Sequence, residues 1–124
     1  MKLRFRKNTL RLRVNQREVE ELAAGNPLEE VVHFPGDASL AYVLSPSESQ
    51  APGASLESSI IRISAPSALV KDWAASGDIG LYFDLPANGS SLRIAIEKDL
   101  QCTDGPPEEK DPYAFPRETE KGCN

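Results

Sequence analysis

At 124 residues, with 40% hydrophobic side chains and a net charge of −5, the chain is sized for one domain around a single core and is too small for two. It contains no apolar run near the roughly 18 residues of a membrane-spanning helix. The opening MKLRFRKNTL has the positive charges of a signal peptide but not the apolar stretch that must follow them. The expectation is a soluble protein of the cytoplasm.

Charge is segregated along the chain. Residues 1–17 carry seven bases and no acid, residues 18–96 three bases and eleven acids, and residues 97–124 four bases and eight acids. A basic start on an acidic body favours internal pairing. The body would repel phosphates at long range, which disfavours nucleic acid as a partner.

The first two elements are strand-like alternations. MKLRFR puts Leu3 and Phe5 on one face, and LRLRV puts Leu10, Leu12 and Val14 on one face. Apolar parity switches from odd to even between them, so the chain must turn or bulge there. A two-residue turn at Lys7-Asn8 would set Phe5 opposite Leu10 and Leu3 opposite Leu12. The same register sets Arg4 opposite Arg11 and Lys2 opposite Arg13, and like charges directly opposite destabilise a ladder. Counter-charges are available in SLRIAIEKDL, where Glu97 and Asp99 share a face; if that strand lies beside the first, they can interleave with the cations.

The stretch VNQREVEELAAG reads as a helix. Asn15 is a good N-cap, and Glu18 completes a capping box. Val19, Leu22 and Ala23 form a narrow buried stripe, and Gly25 can take the left-handed conformation that ends a helix. An offset of 51 lays this stretch on SAPSALVKDWAASG, superposing Val19 on Val70, Leu22 on Trp73 and Ala23-Ala24 on Ala74-Ala75. There Pro66 suits the first helical turn.

The flanks repeat as well. LRLRV and IIRIS precede the helices; EEVVHFP and GLYFDLP follow them; turns and the strands LAYVL and LRIAI close each half. One extra residue assigned to the second turn brings Leu40 onto Leu92. The expectation is an α+β fold of duplicated β-α-β-β units, about 9–45 and 59–98, within a single domain over 1–100. Its roughly seven strands would make a mostly antiparallel sheet or a small barrel with two short helices.

Two segments fall outside this pattern. SPSESQAPGASLES (Ser45–Ser58) reads as a mobile loop between the halves. Residues 101–124 read as an extended, proline-rich, acidic tail, with Tyr113 and Phe115 pinning it to the body.

Candidate chemistry is sparse. His33 is the single histidine, with no nucleophile near it in sequence. The spacing of Cys102 and Cys123 matches no zinc-ligand pair; a disulfide between them would be worth on the order of 3 kcal/mol, but a reducing cytoplasm favours two free thiols. His33, Cys102 and Cys123 are therefore weak metal candidates. The carboxylates Glu29, Glu30, Asp84, Glu97, Asp99, Glu108 and Glu109 read as solvated faces or arginine partners. There is no phosphate-binding glycine loop, dinucleotide fingerprint or serine-hydrolase elbow, and no cofactor is implied.

The basic strip Lys2, Arg4, Arg11, Arg13 is the leading binding candidate, because adjacent guanidinium groups can hold a phosphate or carboxylate by paired hydrogen bonds. The competing reading is an ion-pair ladder with Glu97 and Asp99, and the pattern favours the ladder.

The segments MKLRFRKNTLRLRVNQREVEELAAG, EEVVHF, LRIAIEKDLQC and DPYAFP, spanning nearly the whole chain, resemble a family of small uncharacterised bacterial proteins, a domain of unknown function. The resemblance implies a bacterial source and brings no activity or catalytic residue. It singles out Arg11, Arg13, Glu18, His33, Phe34, Glu97, Lys98, Asp99, Cys102, Phe115 and Pro116 as positions to test.

The expected function is a binding or interaction module that uses the basic strip or a sheet edge to hold a small anionic ligand or a protein. The alternatives are a metal- or thiol-dependent enzyme centred on His33 and Cys102, and a self-associating structural protein.

Overall fold

A computed structural model describes residues 1–100 and 111–116; Cys102, Cys123 and most of the tail lie outside the described residues. The chain opens with β1 (Lys2–Arg6) and β2 (Thr9–Val14), a hairpin about Lys7-Asn8 with Lys7 at φ 52°. Its register is the expected one: Phe5 opposite Leu10, Leu3 opposite Leu12, Arg4 opposite Arg11 and Lys2 opposite Arg13. The two-residue turn fixes parity, so the apolar positions of both strands share a face.

Helix α1 (Gln16–Ala23) starts with the expected capping box. The Asn15 side chain accepts from the Glu18 N–H at 2.9 Å, and Glu18 accepts from the Asn15 N–H at 3.0 Å. Val19 and Leu22 are buried. A second hairpin follows, β3 (Leu28–Phe34) and β4 (Ala38–Ser47), joined by Pro35-Gly36-Asp37.

The serine-rich stretch Ser45–Ser58 departs from the loop expectation. Strand β4 runs through Ser47, and β5 (Gly53–Glu57) pairs with β6 (Ile60–Pro66), leaving only residues 48–52 as connection. Composition misleads here because strand pairing is made by backbone groups, and an edge strand with one free side needs few large side chains. Helix α2 (Ser67–Ala75) follows Pro66 at its N-cap and buries Val70 and Trp73. The chain then forms β7 (Gly80–Ala87) and β8 (Ser90–Lys98).

Among the described residues, eight strands make two sheets, in the orders β1-β2-β8-β7 and β3-β4-β6-β5. The α+β class and mostly antiparallel pairing hold, with four antiparallel hairpins against two parallel pairs, β2/β8 and β4/β6. The expected seven strands in one sheet are eight in two, and neither sheet closes into a barrel. Strand β8 lies beside β2, not β1, because a parallel pair is what unites a hairpin from each half.

The halves match in element order and in register. Leu12 and Ile63, 51 positions apart, sit opposite Ile96 and Leu44, 52 positions apart. Leu28 and Leu81, opposite Leu44 and Ile96, differ by 53. The offset therefore grows by two in the connection after the helix and shrinks by one in the following turn, which is Asn88-Gly89 instead of three residues. The extra residue assigned to that turn from sequence belongs before it.

The core lies between the sheets. Leu12, Val14, Leu44, Ile94 and Ile96 are fully enclosed, and Val19, Leu22, Val70 and Trp73 close it from the helices, which pack on each other. Among the described residues, no helix is long and apolar enough to cross a membrane.

Candidate functional site

The outer face of the β1-β2-β8-β7 sheet carries the predicted strip. Because side chains alternate, the residues opposite the core are fixed by register. One row across the sheet reads Arg4, Arg11, Ala95, Tyr82; the next reads Lys2, Arg13, Glu97, Gly80; a third reads Arg6, Thr9, Arg93, Asp84.

The small residues let neighbours converge. Ala95 lies between Arg11 and Tyr82, and both reach diagonally to Glu97. Arg11 Nε donates to Glu97 Oε1, and the Tyr82 hydroxyl donates to Glu97 Oε2 at 2.6 Å. Gly80, directly opposite Glu97, leaves room for this: a Cβ there would stand 2.8 Å from the Tyr82 hydroxyl and 2.9 Å from Glu97 Cγ. Burial, the hydrogen bond to Glu97 and its charge push the Tyr82 phenol up to about 12. The Arg93 guanidinium lies 5.3 Å from the Tyr82 ring centre and 3.5 Å from Asp84.

Asp99, just past β8, is buried at 4% exposure. Lys2 Nζ lies 2.8 Å from its Oδ2, and Arg13 approaches its Oδ1 at 4.0 Å. Lys98, also buried, donates to the Ser76 carbonyl at 2.7 Å and lies 5.7 Å from the rings of Trp73 and Phe115. A cation on the carbonyl that ends α2 is well placed against the helix dipole.

Three of the four predicted cations, Lys2, Arg11 and Arg13, therefore sit in the ion-pair ladder. Arg4 does not. Together with Arg6 and Lys7, it makes no ion pair or side-chain hydrogen bond among the described residues. These three exposed cations cluster on β1 and its turn, and β1 is an edge strand.

The beginning of α1 gathers a second polar cluster. Glu18 accepts from the Met1 amino group as well as from Asn15, and Glu30 lies 3.3 Å from the same amino group. The Tyr42 hydroxyl donates to the Met1 carbonyl at 3.2 Å; burial, then the charges of Glu30 and Glu18, raise its pKa. Residues 111–116 fasten here. Asn15 Nδ2 donates to Asp111 at 2.9 Å, the Gln16 N–H donates to the Tyr113 carbonyl at 2.9 Å, and the Phe115 N–H donates to the Asp99 carbonyl at 2.7 Å. The Arg17 guanidinium lies 4.3 Å from the Tyr113 ring centre. The expected pinning is thus made by Tyr113 and Phe115, through their backbone groups and through their rings, with Phe115 packed against the core.

His33 stands exposed on β3 of the other sheet, opposite Ser39. Cys102 and Cys123, its proposed companions, lie outside the described residues. Among the described residues, no group of three His, Cys, Asp or Glu side chains is arranged to hold a metal.

Sequence reasoning did not include Tyr82, Met1 or Arg6 in the site. Tyr82 was legible: alternation in GLYFDLP sets it opposite Leu81 and Phe83, on the face of Asp84. Its meeting with Glu97 depended on which strand neighboured β8. The Met1 contacts had no local signal.

Fold and site together define a small α+β domain of two mixed sheets, each sharing hairpins from both halves, with a charged ladder on one outer face. The chain belongs to a family of unknown function, DUF7009, whose model matches residues 1–118. No curated protein and no solved structure matches it.

Proposed function

We propose that this protein is an interaction module that receives an acidic, extended segment of a partner protein along the edge of β1 that pairs with no other strand among the described residues. The observation that carries the reading is the cluster Arg4, Arg6 and Lys7 on an edge strand and its turn, which makes no ion pair among the described residues and lies beside cations that are already neutralised. An incoming strand completes the backbone hydrogen bonds of an edge, while side-chain charge selects it.

The fold itself does not demand these charges. We infer that the halves arose by duplication; the register equivalence supports this. In that relation Arg4, Arg6 and Lys7 correspond to Ser55, Glu57 and Ser58, whereas the inward positions Leu10, Leu12 and Val14 correspond to Ile61, Ile63 and Ala65. Apolar character is kept where packing needs it, whereas at these three outer positions only the first half is positive. A bacterial source, which rests on the resemblance of the sequence motifs, and work in the cytoplasm are part of the same proposal.

The test is an NMR titration with a glutamate-rich extended peptide and, separately, with phosphate-bearing metabolites. The expected result is peptide-dependent shifts of the Leu3, Arg4, Phe5 and Arg6 amides, weakening as salt rises. Unchanged β1 amides would overturn the reading. A response to the metabolites alone would replace it with a small-anion site.

A further inference from the structure

Strand β1 has two faces, and only its outer one is cationic. Leu3 and Phe5 point the other way, toward the second sheet. Phe5 is 58% exposed, and Leu56, its counterpart on β5, is 68% exposed. Between the two hairpins lies a groove of about 290 Å³, lined by Phe5, Leu10, Leu56, Ile61, Ile63 and Leu92 with Ala54 and Ser55. It sits at the ends of β2 and β6 remote from the helices, because each of those strands starts there and runs toward its helix. Its size is at the lower limit of ligand pockets, which run from roughly 300 to 1,000 Å³. That suits a single large side chain better than a whole cofactor.

A strand added beside β1 is bound by the same alternation. Residues on its outer face come beside Arg4 and Arg6, and those between them come beside Phe5. We propose that the partner segment alternates acidic and large apolar residues, and that one apolar side chain enters the groove between Phe5 and Leu56. This rests on the edge-binding reading above and adds its sequence selectivity: the cations choose the charge and the groove chooses the register.

Two labelled peptides of equal charge test it, one alternating Glu and Leu, the other alternating Glu and Ser. Fluorescence anisotropy is measured on the full-length protein and on the variants Leu56→Asp and Arg4→Glu/Arg6→Glu. Leu56 is exposed, so its substitution leaves the core intact. The Glu/Leu peptide is expected to bind on the order of tenfold tighter than the Glu/Ser peptide. Leu56→Asp should abolish that difference, and Arg4→Glu/Arg6→Glu should weaken both peptides. Equal binding of the two peptides to the unmodified protein overturns the groove assignment and leaves the acidic-strand reading standing. Failure of both to bind, or indifference to Arg4→Glu/Arg6→Glu, overturns both. Anionic vesicles are the third arm: co-sedimentation that depends on Phe5 and Leu56, with no peptide binding, would assign the hairpin to a membrane surface instead.

Discussion

Lys2 Nζ lies 2.8 Å from Oδ2 of Asp99, tying strand β1 to the residue that follows strand β8. Strand β2 lies between β1 and β8, so this pair spans three strands and staples the edge hairpin to the sheet's centre.

Removing the carboxylate leaves Lys2 and Arg13 without their shared counter-charge beside a buried site. Asp99→Ala is expected to cost about 1–2 kcal/mol of stability in urea unfolding, because a charge-assisted contact at a buried carboxylate is lost while the cations left behind are half-buried and keep some solvent. Arg93→Ala removes the exposed pair with Asp84 and should change stability by less than about 1 kcal/mol. Equal effects from the two substitutions would contradict this account.

Tyr82 is expected to titrate near 12, later than an ordinary tyrosine, in an absorbance titration of the folded protein. Between pH 10 and 12 the folded state keeps a proton that the unfolded chain has lost. The unfolded state binds fewer protons there, so stability from this group is full below pH 10 and falls as pH rises to 12. Glu97→Gln should bring the titration back toward 10, and an unmoved midpoint would dissociate the shift from Glu97.

Asn15 caps α1 and also holds Asp111. Asn15→Ala is expected to cost about 1–2 kcal/mol and to speed amide exchange at Phe115, whose N–H is bound to the Asp99 carbonyl. Burial raises the pKa of Asp111, but the Asn15 and Tyr113 hydrogen bonds outweigh it, and the group titrates lower than usual. The unfolded chain thus binds more protons in acid, so this contribution is present above the ordinary carboxylate value and is lost as pH falls below it. Exchange at Phe115 that ignores both the substitution and acid would refute the strap.

Gly80 is required by space, not by backbone conformation. Gly80→Val should displace the Tyr82 hydroxyl from Glu97, read as a Tyr82 titration shifted down toward 10 with the fold retained in far-UV circular dichroism. Gly89, which needs its φ of 75° in the Asn88-Gly89 turn, should instead respond to substitution with lost stability.

Much of the local structure was legible before any coordinates. Parity in MKLRFR and LRLRV located the first turn and the register, because a strand's side-chain period of two requires an even number of turn residues to bury both sets, and two is the tightest hairpin connection. The Asn15–Glu18 box was readable for the same reason of short range. Strand β5 was not, since Ala54, Ser55 and Glu57 carry little apolar signal and its pairing is made by the backbone. The ladder was half legible: its members were named, but the strand neighbouring β8 was taken to be β1.

The amino-acid order by itself determined the first hairpin and the capped helix α1, because each depends on residues a few positions apart; the segregation of charge and the match of the two halves were read from composition and from comparison at a fixed offset. Only the tertiary structure decided that each sheet takes one hairpin from each half, that Tyr82 and Arg11 meet on Glu97, and that Arg4, Arg6 and Lys7 stay unpaired among the described residues. Those outcomes depend on which distant strands lie side by side. Parallel pairing between hairpins leaves no mark in local spacing, since both registers bury the same alternating residues until the whole core is packed.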